Sequence, residues 1–363
     1  MRPILLAAAL ALAAAPASAE RARLALWTAE LERDGPGLLL RDILRGDPAA
    51  EGAADRIAAL RPDVILLAGF DWDLEGRALA AFQALLADRG APMPHAFAPP
   101  SNRGLPSGAD LDADGRLGGP GDAQGWARFT GAGAMALLSR HPIDAGAAVD
   151  LSDLLWRDLP GTMATDPGVL SPEALAVQRL SSGGHWDVPV RLPGGHLRVL
   201  AWHATPPVFD GPEDRNGRRG ADEARLWSLY LSGELPGHAP PAAPFVLMGA
   251  ANLDPLDGDG RGDAIAALLA LPDLTDPAPS WPGPLPAPEA ADRAHRGDPA
   301  FDTADWPGAR PGAAGNLRVD YVLPSAGLAV LGAGLDWPEG WPEAEPIEGA
   351  SRHAIVWVDV DLP

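Results

Sequence analysis

The sequence contains no cysteine and no lysine. Without cysteine the chain can form no disulfide, no catalytic thiolate and no cysteine-ligated metal site. All 28 basic residues are therefore arginines, and against 49 acidic residues they leave a formal net charge of −21. Because binding to nucleic acid depends largely on neutralising phosphates, so acidic a chain repels a long polyanion unless one face is locally basic. Long nucleic acid is therefore a less favourable partner than a small anion.

The first 19 residues have the composition of an export signal. They contain one charged residue, Arg2, and a run rich in alanine and leucine that ends in Ala17-Ser18-Ala19. This pattern is typical of a cleavable secretory signal peptide, and the alternative is an N-terminal membrane anchor. The apolar run is short for a bilayer span of roughly 20 residues, and no later segment is apolar enough to span. We predict cleavage after Ala19, a periplasmic or secreted mature chain without a membrane span, and a single domain over residues 20–363.

Hydrophobic periodicity indicates the organisation of that domain. Predicted strands span residues 24–30, 64–67, 133–139, 177–190, 196–203, 245–248 and 355–360. Residues 55–60 are predicted to be the end of a helix, and further helices are predicted over residues 74–87, 221–231 and 265–271. A long loop is predicted over 92–128, and the proline- and glycine-rich segment 277–313 is either an ordered excursion or a mobile lid. This order favours an α/β (α+β) fold in which two sheets pack together between helices.

Three late segments join an apolar, β-branched run to polar residues. They are Met248–Asn252, Arg318–Leu323 and Ser351–Val356. A buried strand delivers side chains to the end of a sheet in this way. The polar residues delivered are Asn252, Asp320 and His353, which together can bind a phosphate, orient an imidazole and donate a proton.

The order and chemistry of these segments resemble the endonuclease/exonuclease/phosphatase superfamily, whose members hydrolyse phosphoesters with a divalent metal. Residues Gly133–Ile143, an apolar strand followed by Ser-Arg-x-Pro-Ile, are similar to a motif of that family. Trp202-His203 resembles its mid-chain catalytic histidine. The resemblance implies a four-layer α/β/β/α sandwich made of two packed mixed sheets flanked by helices.

The resemblance also implies a set of four catalytic residues: His203, Asn252, Asp320 and His353. In this set His203 and Asn252 contact the phosphate. Asp320 holds the tautomer of His353, and the imidazole then protonates a leaving oxygen or stabilises charge on the phosphoryl group.

Four positions depart from the family pattern: Thr28, Gly69, Ala250 and Arg352. The family places an asparagine, a glutamate and two aspartates there, so most of its metal cage is missing. Glu30 lies two residues beyond Thr28, Asp71 two beyond Gly69 and Asp254 two beyond Asn252. Side chains two residues apart on a strand point to the same face of the sheet. We therefore predict an active-site Mg²⁺ or Mn²⁺ held by these three carboxylates. Ala250 cannot orient or deprotonate water, a loss that commonly costs about 10²–10⁴-fold in rate.

A separate acidic motif begins at Asp110. Asp110, Asp112 and Asp114, followed by Gly115, match the D-x-D-x-D-G start of a calcium loop. The twelfth position is a glycine instead of the expected glutamate, and Asp122 follows it. The motif predicts a structural Ca²⁺ site, and a solvated acidic loop is the alternative.

Three functions remain open at this level. The first is a secreted, monomeric, metal-dependent hydrolase of a small phosphodiester or phosphomonoester. The second is a catalytically impaired homologue that binds a ligand or protein partner without turnover, as Ala250 suggests. The third is an unrelated calcium-stabilised α/β protein, in which Asp320 and His353 would lie far apart.

Overall fold

The computed structural model describes residues 20–288, 292–306, 314–342 and 351–362. The predicted signal peptide, residues 1–19, lies outside the described residues. So do residues 289–291 and 307–313 of the predicted excursion.

Strands and helices alternate through the first part of the chain, and strands dominate the last part. The strands are β1 (Glu20–Leu31), β2 (Val64–Phe70), β3 (His95–Phe97), β4 (Ala134–Ser139), β5 (Val149–Asp150), β6 (Gly184–Leu192), β7 (Gly195–His203), β8 (Phe245–Ala250), β9 (Ala304–Trp306), β10 (Gly315–Leu317), β11 (Asp320–Pro324), β12 (Ala329–Asp336) and β13 (Ile355–Leu362). The α-helices are α1 (Leu38–Leu44), α2 (Pro48–Leu60), α3 (Arg77–Asp88), α4 (Pro172–Val177), α5 (Arg215–Ser232) and α6 (Gly262–Leu269).

Two large sheets carry the fold. The first has the strand order β12-β13-β1-β2-β4-β3, and the second has the order β11-β8-β7-β6-β5. Both are mixed, because β1 and β2 pair in parallel, as do β7 and β8, while their other pairs are antiparallel. Strands β9 and β10 form a separate two-stranded ribbon.

The sheets pack face to face, and helices cover their outer faces. The central core combines inner-face residues of both sheets, among them Leu66 from β2 and Val199 from β7. Apolar side chains of α1, α2 and α3 cover the first sheet, for example Phe82 of α3. Side chains of α5 and α6, including Trp227 and Ile265, cover the second. This arrangement confirms the predicted four-layer α/β/β/α sandwich. Burial of each large apolar side chain contributes about 1.5–3 kcal/mol, so the core stabilises a chain that has no disulfides.

Two element boundaries differ most from the sequence prediction. The strand predicted over 177–190 begins only at Gly184, because polar side chains hold the preceding backbone outside the sheet. Glu223, for example, accepts a hydrogen bond from the backbone N–H of Ser182 at 2.7 Å. Helix α5 begins at Arg215, before the predicted residue 221, since two glycines and three arginines in its first turns hide its apolar spacing.

The predicted loop over 92–128 is confirmed apart from the short strand β3 and one 3₁₀ turn. Helix α1 was not predicted. Within the described chain, no helix combines the length and the apolar character of a membrane-crossing segment.

Candidate active site

Asp320 and His353 meet where the ends of the two sheets come together. Asp320 begins β11, and His353 lies two residues before β13. The Nδ1 atom of His353 is 2.7 Å from Oδ2 of Asp320, and both side chains are buried. This contact is the opposite of what the unrelated-protein interpretation requires. A carboxylate placed here accepts a hydrogen bond from Nδ1–H of the imidazole, and Nε2 is then left for a ligand.

Two hydroxyl groups fix the carboxylate of Asp320. Thr28 of β1 donates to Oδ1 at 2.8 Å, and Thr303 donates to Oδ2 at 3.0 Å. The Thr303 hydroxyl also accepts a hydrogen bond from the backbone N–H of Asp320 at 3.0 Å. Thr28, at a position where the family carries an asparagine, thus serves the Asp–His pair. Thr303 belongs to the predicted excursion, and no sequence pattern indicates its role.

His353 is fixed by its ring and by its backbone. The Trp306 ring packs edge-on against the imidazole, with 5.3 Å between centroids and an interplanar angle of 90°. Trp27 Nε1 donates to the His353 carbonyl oxygen at 3.0 Å. Burial alone would lower the pKa of His353, but the carboxylate of Asp320 outweighs it and raises the pKa above its usual value of 6.5. The imidazole therefore remains available as a proton donor close to neutral pH.

Ala250 lies between two predicted catalytic residues in the second sheet. It pairs with Asp320 on one side and with His203 on the other. Directly paired residues project to the same face of a sheet, so the three side chains lie in a row. An aspartate at position 250 would stand between the Asp–His pair and His203. The alanine leaves that place without a carboxylate.

His203 is a buried and neutral imidazole. Burial, together with the smaller effects of the charges on Arg103 and His353, lowers its pKa to about 3. Its Nδ1 atom is buried without a hydrogen-bond partner among the described residues. An orphaned buried nitrogen costs free energy, which is a common feature of sites that complete their hydrogen bonds with a ligand.

Asn252 lies two residues beyond the end of β8 and has a left-handed backbone conformation, with φ of 52°. Asparagine tolerates this region better than most residues. Its Nδ2 atom donates to the carbonyl oxygen of Ala204 at 2.8 Å, next to His203 in the chain. One N–H and the side-chain oxygen of Asn252 remain for a ligand.

A β-bulge interrupts the first sheet beside the site. The pairing of β1 with β2 shifts between Thr28 and Leu31, opposite Gly69. Both Glu30 and Gly69 have positive φ, 49° and 69°. A Cβ atom on Gly69 would lie 3.0 Å from the backbone nitrogen of Glu30. The backbone therefore disfavours a glutamate at position 69, and the two-residue alternation assumed for Glu30 does not continue across the bulge.

Arg352 and Glu30 bind each other. The backbone N–H of Arg352 donates to Oε2 of Glu30 at 2.8 Å, and Nε donates to Oε1 at 3.1 Å. Many relatives have an acid immediately before the histidine. This chain has Arg352 there, and its positive charge neutralises the carboxylate of Glu30.

The other two predicted metal ligands bind backbone N–H groups. Asp71 accepts from Gly133 at 2.9 Å and from Arg33 at 3.0 Å, and burial raises its pKa to about 6. Asp254 accepts from the backbone N–H groups of three residues, Leu256, Asp257 and Arg318. Each carboxylate holds loops together, and the role of each as a metal ligand stays a prediction.

Glu32 and Arg103 are functional candidates that the sequence did not indicate. Both line a cleft of ≈ 850 Å³, although neither Asp320 nor His353 is among its lining residues. Partial burial raises the pKa of Glu32, whereas the charges of Arg103, Arg352 and His353 lower it. Glu32 follows the bulge, and Arg103 comes from an irregular loop, so neither lies in a periodic pattern that points to a site.

The described residues do not fit the metal cage of the family. A side chain at position 69 would be strained and tightly packed, and Thr28 donates a hydrogen bond from its hydroxyl to Asp320. Arg352 brings a positive charge and occupies Glu30. Within the described ranges, three or more acidic or histidine ligand atoms converge at one place only, Asp110, Asp112 and Asp122, outside this site. Mg²⁺ requires oxygen ligands in near-octahedral geometry, and we derive no catalytic step through it.

The acidic loop brings together a different trio from the one that the motif predicted. Oxygen atoms of Asp110, Asp112 and Asp122 lie within 4.8 Å of one another. Asp114 instead accepts the backbone N–H of Arg116 at 2.7 Å. The group has the chemistry of a hard-cation site, with Asp122 taking the place expected for the last ligand.

Comparison with known proteins identifies relatives of this chain. The sequence profile of the endonuclease/exonuclease/phosphatase family matches residues 35–353. No curated protein matches the sequence significantly.

Three solved structures are similar in fold. An endonuclease/exonuclease/phosphatase from Beutenbergia cavernae DSM 12333 has 19% identity and a TM-score of 0.56, over 94% of this chain and 72% of that one. A family protein from Leptotrichia buccalis C-1013-b has 13% identity and a TM-score of 0.51, over 94% and 99%. A 3′-5′ exonuclease from Neisseria meningitidis has 16% identity and a TM-score of 0.47, over 93% and 99%. At these identities the likeness shows the fold alone.

Proposed function

Because this chain belongs to the endonuclease/exonuclease/phosphatase family, we propose that it hydrolyses a small phosphomonoester or phosphodiester at the junction of its two sheets. The observation that carries the proposal is the buried contact between Asp320 and His353. The net charge of −21 favours a small substrate over a long polyanion.

Each retained residue has a role in this reaction. Asn252 and the neutral His203 donate hydrogen bonds to phosphoryl oxygens. A water oxygen forms a bond to phosphorus while the bond from phosphorus to the leaving oxygen breaks. His353, oriented by Asp320, gives its Nε2 proton to the leaving oxygen. Ala250 supplies no base for the water, so we expect turnover to be slow.

Other expectations accompany the proposal without supporting it. An Mg²⁺ or Mn²⁺ ion at Glu30, Asp71 and Asp254 stays a prediction. So do the structural Ca²⁺, the monomeric state and export to the periplasm or medium. Cell fractionation with N-terminal sequencing checks export, because a mature chain that begins at Glu20 is the expected product.

Hydrolysis of p-nitrophenyl phosphate and bis-p-nitrophenyl phosphate tests the proposal. We expect measurable wild-type activity and a loss of about 10²–10⁴-fold in His353→Ala. His141→Ala is a matched control, since His141 is half-buried beside Asp63, outside the site. Equal rates for wild type and His353→Ala would contradict the proposal.

A second candidate function is ligand binding without turnover. The specific observation in its favour is the apolar Ala250 between Asp320 and His203. Ala250→Asp restores a carboxylate at that place. An inactive wild type with an active Ala250→Asp variant would identify a binding protein on an intact scaffold, whereas activity in the wild type would exclude it.

A further inference from the structure

One side chain, Glu32, lies against Gly69, where relatives carry a metal-binding glutamate, and Arg103 lies close by at Gly133. A Cβ atom on Gly69 would lie 3.2 Å from Oε2 of Glu32. A Cβ atom on Gly133 would lie 2.8 Å from the same oxygen and 3.0 Å from Nη2 of Arg103. Glu32 and Arg103 therefore lie side by side at this end of the first sheet.

Both signs of charge surround this position, because Glu30 acts electrostatically on Glu32 and Asp71 acts on Arg103. Arg103, Arg352 and His353 all act electrostatically on Glu32. Arg103 also acts on His203, on the other side of the site. Directly beside the Arg103 guanidinium, however, a divalent cation is repelled and a phosphoryl group is attracted.

Arg103 is held in place before any ligand binds. Its Nε atom donates to the carbonyl oxygen of Ala132 at 2.7 Å. The preceding residue, Asn102, is buried and donates to the carbonyl oxygens of Ser152 and Ser181 at 2.6 and 2.8 Å. A side chain fixed in this way loses little conformational entropy on binding.

The far end of Arg103 is free to bind. Its two terminal nitrogens make no hydrogen bond with any residue that the structure describes, and the side chain lines the ≈ 850 Å³ cleft. His203, across the site, has a buried Nδ1 atom without a partner in the described chain. A guanidinium and an imidazole thus both offer unused polar atoms beside the Asp–His pair.

We propose that Arg103 binds the phosphoryl oxygens of the ligand in the place that relatives give to a metal ion, so that phosphate binding needs no divalent cation. A guanidinium presents two parallel N–H groups that match two phosphoryl oxygens. This inference rests on the proposed function, because it names the group that receives the phosphate at the same site.

Calorimetric titration with inorganic orthophosphate tests it directly. In wild-type protein we expect equal affinity, within twofold, in EDTA and in Mg²⁺. Arg103→Met should weaken binding by about 10-fold or more, and Arg103→Lys should recover only part of it, since an ammonium cannot form the paired contact. Phosphate binding that disappears in EDTA and returns with Mg²⁺ would overturn the inference.

Two further variants sharpen the test. Arg128→Met is the matched control, because Arg128 lines the same cleft but pairs with Asp34. It should bind phosphate within twofold of wild type. Glu32→Gln removes a negative charge beside Arg103, so we expect tighter phosphate binding, by about threefold. If Glu32 were a metal ligand, the same change would weaken binding. This variant decides the question even if Arg103→Met fails to fold.

The two proposals fail in different ways. Phosphate binding that depends on Arg103, in a protein that hydrolyses no phosphoester, would leave the inference standing and remove the hydrolase. Hydrolysis that depends on His353 but is unchanged in Arg103→Met would support the hydrolase and remove the proposed role of Arg103.

Discussion

Arg352 shows how one substituted residue changes the residues around it. Glu30 binds this arginine through both carboxylate oxygens, so its negative charge is neutralised by an ion pair. His353, next in the chain, keeps its own partner, Asp320. At the scale of single residues, positions where the family carries metal ligands hold other residues, whereas the contact between Asp320 and His353 is present.

The Asp–His pair predicts a pH dependence. Because Asp320 raises the pKa of His353, the imidazole stays protonated above pH 6.5, and hydrolysis should persist there and fall at higher pH. Asp320→Asn removes the negative charge, so the fall in rate should move to lower pH. A pH–rate profile with p-nitrophenyl phosphate measures this.

His203 should contribute no step to that profile above pH 4, because its pKa is about 3. His203→Gln is therefore the matched variant. We expect it to lower the rate of hydrolysis and to leave the shape of the pH–rate profile as in the wild type. A profile that Asp320→Asn leaves unchanged would show that His353 does not act through its protonated form.

At the scale of elements, candidate site residues at strand ends were predictable from the sequence, and those in irregular segments were not. Asn252, Asp320 and His353 each adjoin a strongly apolar strand, so their meeting followed from periodicity and the family pattern. Thr303 and Arg103 come from irregular segments, whose positions depend on contacts distant in the chain.

The bulge also lay beyond sequence reasoning. Alternation along a strand assumes regular pairing, and the shift between Thr28 and Leu31 breaks it. The glycine at position 69 was visible in the sequence, but its left-handed conformation was not.

The bulge predicts a cost for filling position 69. Gly69→Ala forces a side chain into a left-handed conformation and towards the Glu30 backbone, so we expect a loss of about 1–3 kcal/mol in the free energy of unfolding. Gly327→Ala is the control, since nothing lies within 4 Å of its Cβ position, and should change stability by less than about 0.5 kcal/mol. Denaturant unfolding compares them. Equal stability of the two variants would mean that the bulge is not rigid.

The acidic loop predicts a calcium effect. Weak extracellular sites bind Ca²⁺ with Kd of about 10⁻⁴–10⁻³ M, so 5 mM Ca²⁺ should raise the melting temperature by roughly 1–3 °C over EDTA. Asp112→Asn should abolish this shift, while Asp114→Asn should retain it, because only Asp112 belongs to the converging trio. The reverse result would favour the motif over the observed grouping.

At the scale of the whole molecule, charge separates substrate classes. With 28 basic and 49 acidic residues, the chain attracts a small anion only where arginines are concentrated locally. We expect a 30-base-pair DNA duplex to bind with a Kd weaker than about 100 μM at 0.15 M salt, measured by fluorescence anisotropy. Micromolar binding with a steep salt dependence would instead indicate a basic face and a nucleic-acid substrate.

Strand β1 pairs with β13, and that pairing has a consequence during synthesis. Trp27 and His353, which hydrogen-bond in the finished protein, are 326 residues apart. At about 5–20 residues per second, a ribosome needs on the order of 20–60 s to travel between them. Throughout that interval β1 has an unpaired edge, and open edges recruit other chains. The yield of folded protein should therefore depend on translation speed and chaperone access more than on the stability of the completed sandwich.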